Sequence, residues 1–332
     1  MLVPVLWFIL GLVLLIKGGD WFVDGAVGIA QRFHVPEILI GATVVSIGTT
    51  LPEVMVSATS AVGGHGEIAY GNAIGSVICN TALVAALTAA VRPGKVEKDS
   101  LRIPVLFFFG AAVFYAGVAY MTGYFSRLVG AVLLLIFAAY MVITVRKALK
   151  SPGQSLKESE PAPDQPAAGE GAEKELPLSK SIVLLVIGAA LIAWGANLLV
   201  DNGTLIAKAL GVPETVIALT FVALGTSLPE LVTAITALAH GHSALSLGNV
   251  IGANLFNLVL VSGLATFLSP FALPAGKTIA GYNASLAVDI PVMFLVMGLL
   301  TVPALIKGKL TRWQGVTLLA IYTGFCAFQF FL

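Results

Sequence analysis

The sequence predicts an all-α integral membrane protein: ten transmembrane helices in two inverted five-helix repeats, with broken helices meeting at a midplane ion site. Three observations predict it. First, 58% of the 332 residues are hydrophobic and only 11% are charged, whereas soluble domains carry roughly a quarter charged residues. Second, the apolar residues fall in long runs such as 104–121, 128–145 and 286–306, each near the ~20 residues that cross a bilayer as a helix. Third, two stretches of the chain repeat each other without a gap: Pro36, Gly48, Glu53, His65, Gly71 and Asn80 recur as Pro213, Gly225, Glu230, His242, Gly248 and Asn257.

The ten segments fall at about 2–29, 37–62, 68–90, 103–122, 127–145, 180–207, 214–239, 244–268, 286–306 and 312–331. The first follows Met1 directly, with no basic region before it and no small-residue cleavage site, so it reads as a helix and not as a removable signal. Loop charges set the orientation. With the N-terminus outside, the inner loops hold Arg32, then Arg92, Lys95, Lys98 and Arg102, then Arg146, Lys147, Lys150, Lys157, Lys174 and Lys180, then Lys307, Lys309 and Arg312. The outer loops hold Arg127, Lys208 and Lys277. The excess places both termini outside.

Residues 149–179 break the pattern. They are rich in Pro, Gly, Ser, Glu and Ala and have no hydrophobic period, so they cannot bury enough apolar surface to order themselves. They read as a cytoplasmic tether between a first half, 1–148, and a second, 180–332. Five helices per half is an odd number, so the second copy enters the membrane from the opposite side, an architecture of secondary transporters. The net charge of +1 gives no indication of a nucleic-acid partner. The two cysteines, Cys79 and Cys326, lie in apolar segments and suggest no disulfide framework.

The repeated motifs carry the chemistry. The first repeat spans about 36–84 and the second about 213–261. Each has a GT(T/S)LPE element and a GN-x-I-G element. Pro52 and Pro229 lack an amide hydrogen and clash with the carbonyl four residues earlier, at Gly48 and Gly225. Lipid offers that carbonyl no partner, whereas a cation does. Thr49 and Glu53 share a helix face, as do Thr226 and Glu230. A carboxylate at the midplane costs at least ~2.5 kcal/mol and normally faces a cavity or a partner. Ser76 and Asn80 add neutral oxygens; their counterparts are Ala253 and Asn257, so the second copy lacks one hydroxyl. An all-oxygen set suits hard cations such as Ca²⁺, Mg²⁺ and Na⁺, and two carboxylates match a divalent ion. Asn72 and Asn249 read as caps of broken helix ends. Lys17, Asp20 and Asp24 read as a mutually paired group near a helix end, Asp289 as interfacial, and His65 and His242 as loop residues.

These motifs, G48-T-T-L-P-E53 with G71-N-A-I-G-S76-V-I-C-N80 and G225-T-S-L-P-E230 with G248-N-V-I-G-A253-N-L-F-N257, resemble the two α-repeats of the cation/calcium exchanger superfamily, in its prokaryotic Na⁺/Ca²⁺ exchanger branch. The resemblance implies an antiporter of a bacterial or archaeal plasma membrane that exchanges Na⁺ for Ca²⁺, with no cofactor beyond the transported ions. It implies that Glu53 and Glu230 ligate Ca²⁺ and also serve Na⁺. Thr49, Thr50, Ser76, Thr226 and Ser227 would supply oxygens chiefly to Na⁺, together with the backbone carbonyls of Ser46 and Ala223. Asn80 and Asn257 would complete a central diamond with the glutamates. Relatives often carry a carboxylate at the position of Asn257 and a hydroxyl at that of Ala253, so this site is less anionic. Related proton exchangers tend to have GN-x-x-E in place of GTSLPE, which ranks Ca²⁺/H⁺ exchange second; a cation channel is a remoter alternative. An enzymatic role is not expected: the sequence shows no HExxH helix, no paired intramembrane aspartates and no intramembrane Ser–His pair.

Overall fold

A computed structural model describes residues 2–150, 176–210, 225–275, 278–279 and 281–331. The helices among them are α1 (Leu2–Phe33), α2 (Glu37–Val62), α3 (Gly66–Val91), α4 (Lys98–Thr122), α5 (Arg127–Lys150), α6 (Leu178–Ala209), α7 (Leu228–Ala239), α8 (Ser243–Leu268), α9 (Ser285–Lys307) and α10 (Arg312–Phe331). Eight of these described helices are long and apolar enough to cross a membrane. The expected segment at 214–239 begins within residues outside the described set, and its described part is the short α7.

Glycines govern how the first and sixth helices pack. Gly11 and Gly18 on α1 face Gly195 and Gly188 on α6, so that a Cβ on Gly11 would come within 2.9 Å of the Gly195 carbonyl, and one on Gly188 within 2.8 Å of the Gly18 carbonyl. Small residues let membrane helices approach backbone to backbone, where dispersion replaces the missing hydrophobic drive. Position 11 opposes 195 and position 18 opposes 188, so α1 and α6 run antiparallel.

The core lies between α2, α3, α7 and α8, which pack on one another. Glycines also set the contact of α8 with α2: a Cβ on Gly248 would strike the Ile38 backbone, and one on Gly252 would strike Ser46 and Ala42. Tyr140 of α5 donates to the Ala42 carbonyl at 2.8 Å and ties the flank to this core. At one end of α4, β1 (Tyr124–Phe125) pairs with β2 (Phe271–Ala272). At its other end Lys95 bridges Lys309. A small hairpin joins β3 (Thr278–Ile279) to β4 (Tyr282–Asn283).

The helix irregularities are not all where the sequence suggests. In the first repeat Ser46–Val62 is continuous through Pro52. One proline removes one ladder bond, and neighbouring helices hold the rest. The irregularity is a π-helical segment two to three turns upstream of the proline, Gly41–Val45. In the second repeat Thr226 and Ser227 form a turn, and α7 starts at Leu228 with Pro229 in its first turn; residues 211–224, before it, lie outside the described set. Neither GN-x-I-G element unwinds, because glycine without proline keeps its amide. The disturbance comes later, as π-helical segments at Asn80–Ala85 and Asn257–Val261. Such segments occur frequently at functional sites. Serine hydroxyls cap two of the carbonyls they release: Ser46 donates to Gly41 at 2.7 Å and Ser262 to Asn257 at 3.1 Å.

Candidate cation site

The two glutamates lie in the core. Glu53 sits on α2 one turn after Thr49, and Glu230 sits in the first turn of α7; both are 0% exposed. Their helices, α2 and α7, pack on one another. Pro52 and Pro229 line one small cavity with Gly48 and Thr49, closed by Phe22 of α1 and Ile192 of α6. Asn80 and Asn257 open the π-helical segments of α3 and α8 and are equally buried.

Both oxygens of each glutamate lack a hydrogen-bond partner, and so do both polar side-chain atoms of Asn80 and of Asn257. The hydroxyls of Thr50 and Ser227 are in the same condition. Native proteins rarely leave buried polar atoms unpaired, and an unpaired buried carboxylate is costly. A cluster of such oxygens on four packed helices is what a bound cation would satisfy. No nitrogen or sulfur set competes: among the described residues no group of three or more His, Cys, Asp or Glu side chains is placed to hold a metal ion. The Cys79 thiol takes the Tyr322 hydroxyl as a neighbour at 3.5 Å.

The remaining expected oxygens fall into two groups. Ser46, Thr49 and Thr50 on the Glu53 helix, Ser76 on α3 and Ser227 just before α7 are buried. Thr226 is half-buried, and Ala223 lies outside the described residues. Thr49 is engaged: its hydroxyl donates to the Asn249 side-chain oxygen at 3.2 Å. The repeat-related bond also forms, Thr226 donating to the Asn72 side-chain oxygen at 3.4 Å. Each repeat thus clasps the other through a threonine and an asparagine.

Asn72 and Asn249 are not helix-end caps, since both stand in helix interiors. The Asn72 amide donates to Ser57 at 2.9 Å and to the Glu53 carbonyl at 3.3 Å, while Ser46 donates to the Asn249 carbonyl at 2.9 Å. A further polar knot escaped sequence reasoning. Asn254 donates to Thr81 at 2.7 Å and approaches the Met297 sulfur at 3.2 Å. Its signal was an amide inside a membrane helix, but the repeat places Val77 there in the first copy, so it gave no pair to notice. Outside the core, Lys17 pairs with Asp20 at 3.6 Å, and His240 joins Asp20 and Asp24 at 3.6 and 3.9 Å. The His242 Nδ1 lies 2.8 Å from the Glu37 carboxylate. Asp289 is half-buried and accepts from Gln329 at 3.0 Å.

The profile of the sodium/calcium exchanger protein family matches residues 3–146 and 180–331. The chain belongs to this family. Among its relatives, the uncharacterized membrane protein MJ0091 of Methanocaldococcus jannaschii is 37% identical over 320 residues, 95% of this chain and 94% of that one. The sodium/calcium exchanger MaX1 of Methanosarcina acetivorans is 32% identical, over 98% of this chain and 97% of its own. A solved structure of the sodium-calcium exchanger NCX_Mj, soaked with Na⁺ and Sr²⁺, superposes with a TM-score of 0.78 at 33% identity, covering 97% of each chain. The match of this exchanger-family chain in two blocks leaves residues 147–179 between them.

Proposed function

We propose that this chain is a secondary antiporter exchanging Na⁺ for Ca²⁺ by alternating access. The observation that carries the reading is the pair of repeat-related glutamates, Glu53 and Glu230, fully buried and unpaired. They form the Ca²⁺ ligands and share in Na⁺ binding, with Asn80 and Asn257 completing a central diamond. Thr49, Thr50, Ser76, Thr226, Ser227 and the carbonyls of Ser46 and Ala223 supply further oxygens, chiefly to Na⁺. Ten transmembrane helices form two inverted halves, 1–148 and 180–332, joined by a cytoplasmic tether, with both termini outside. The antiparallel packing of the repeat-related α1 and α6 supports the inversion.

The coupling is electrostatic. Two carboxylates in a low-dielectric core repel each other and resist desolvation when empty. One Ca²⁺, or Na⁺ ions in the same oxygens, compensates the charge and lets the site pass between access states. No chemical step is needed. The test is radiolabelled Ca²⁺ uptake into proteoliposomes loaded with Na⁺. Uptake should require the outward Na⁺ gradient and collapse in Glu53→Gln and in Glu230→Gln. Uptake driven by a pH gradient without Na⁺ would replace this reading with Ca²⁺/H⁺ exchange, and undiminished uptake by both variants would remove the glutamates from it.

A further inference from the structure

We propose that the paired loops at residues 92–98 and 307–312 form a binding site for the phosphodiester headgroup of an anionic phospholipid. The two loops are locked together by backbone bonds: Val96 donates to the Gly308 carbonyl at 2.9 Å and Leu310 to the Gly94 carbonyl at 2.8 Å. Between them lies a shallow pocket of about 370 Å³, lined by Gly94, Lys95, Lys309, Thr311 and Arg312. Lys95, Lys309 and Arg312 are exposed, and among the described residues none of them has a carboxylate within ion-pair distance. The Glu97 carboxylate in the same loop is taken by the Ser100 hydroxyl at 2.7 Å. Lys98 is also engaged, donating to the Ile306 carbonyl at 2.6 Å.

Three further features point to a lipid. The pocket sits at the start of α10, a 20-residue helix, whose N-terminal end favours an anion. Gln314 accepts from the Thr311 amide at 3.0 Å and fixes that first turn. Beside the basic groups stand exposed apolar side chains, Val91, Ile306 and Trp313, so the rim is fatty on one side and cationic on the other. Trp at such a place marks headgroup depth, and basic pockets between membrane helices are a recognised form of anionic headgroup site.

The opposite end of the molecule supplies an internal control. There Leu273 donates to the Gly123 carbonyl at 2.8 Å, the repeat image of the Val96 bond to Gly308. Gly123 and Gly308 both take the left-handed conformation, with φ of 60° and 65°. The backbone clasp is therefore the same at both ends of α4. Yet the equivalent residues 122–127 and 269–276 carry one charged side chain, Arg127, whereas 92–99 and 307–312 carry six basic and two acidic ones. The backbone clasp does not itself demand Lys95 and Lys309; a basic inner face is general to membrane proteins, and it is the convergence of Lys95, Lys309 and Arg312 on one pocket that points to a ligand.

The experiment is native mass spectrometry of the full-length protein titrated with dioleoyl phosphatidylglycerol, dioleoyl phosphatidylcholine or inorganic phosphate. The wild type should retain phosphatidylglycerol in preference to phosphatidylcholine. K95Q/K309Q/R312Q should bind it on the order of 100-fold more weakly, and Lys309→Gln alone about five-fold more weakly, from the contribution of each basic residue near an anionic headgroup. The charge-preserving K95R/K309R should bind as the wild type does, and so should R32Q/R146Q/K180Q, which removes three positive charges from other helices. Equal retention of the two lipids, or equal loss in the two triple variants, overturns the proposal. Phosphate that displaces the lipid at equal concentration assigns the pocket to a soluble anion instead. The readout is binding and not flux, so it stands or falls separately from the antiport reading.

Discussion

At the scale of single residues, the cost of Glu53 and Glu230 is the informative quantity. Each is a buried carboxyl group whose oxygens have no hydrogen-bond partner, and an ionised carboxylate in that condition carries a large desolvation cost. Glu53→Gln removes one of the two charges. In ion-free detergent its thermal midpoint should rise above that of the wild type, while the stabilisation by added Ca²⁺ should shrink by about 100-fold in Ca²⁺ affinity or more, the scale of losing one partner from a buried charge pair. Differential scanning fluorimetry with and without Ca²⁺ reads both; a fall of the ion-free midpoint would show that the carboxylate has a structural partner after all. Asn254 makes the opposite case. Its amide bridges Thr81 and Met297, so Asn254→Leu should lower stability by about 1–3 kcal/mol by stranding buried groups. The same melting assay checks it.

At the scale of elements, proline and glycine act differently from what their types alone suggest. Pro52 lies within a continuous helix, whereas Pro229 starts one. Substituting Pro52→Ala returns an amide to the helix interior, where the Gly48 carbonyl can accept it. The helix should gain up to ~3 kcal/mol of local preference, and Na⁺-driven Ca²⁺ uptake should fall because that carbonyl is no longer available. A variant with higher melting temperature and full uptake would refute the use of the carbonyl. The glycines of α1 and α6 exist for contact. Gly18→Leu places a side chain where the first added carbon already lies 2.9 Å from the Ile192 amide, so the two helices must separate. Overpacking of this kind costs typically ~1–3 kcal/mol, and the loss should appear as a lower melting temperature and reduced flux. The same substitution at Gly110, where no atom lies within 4 Å, should change neither.

At the scale of the whole molecule, the two halves are interleaved rather than side by side. α1 packs on α6, α5 on α8, α10 on α3 and α2 on α8, and the threonine–asparagine bonds cross between repeats in both directions. A protease site placed within 151–175 should therefore, once cut, leave two fragments that co-purify and still take up Ca²⁺. Size-exclusion chromatography of the cut protein with gel analysis of the peak checks this. Separation of the fragments would mean that the tether, not the interface, holds the halves together.

Hydropathy runs, loop charges and the gapless repeat determined by themselves that this is a helical membrane protein of two related halves, because the bilayer forces about 20 apolar residues per crossing and forbids unpaired backbone. They also picked out Glu53 and Glu230, since a charge at the same place in two apolar segments has no cheap structural explanation. Only the tertiary structure decided where the helices are irregular. A π-helical turn leaves no mark in the apolar pattern, and the serines that satisfy its carbonyls, Ser46 and Ser262, stand five residues on, outside the GT(T/S)LPE and GN-x-I-G motifs. It alone showed Asn72 and Asn249 as bridges between repeats, for an asparagine's partner on a helix four turns or a whole repeat away leaves no mark in spacing. It also brought the loops at Lys95 and Lys309 together. Their distance in sequence hides the pairing, which exists because the two ends of the fold close with the same backbone clasp.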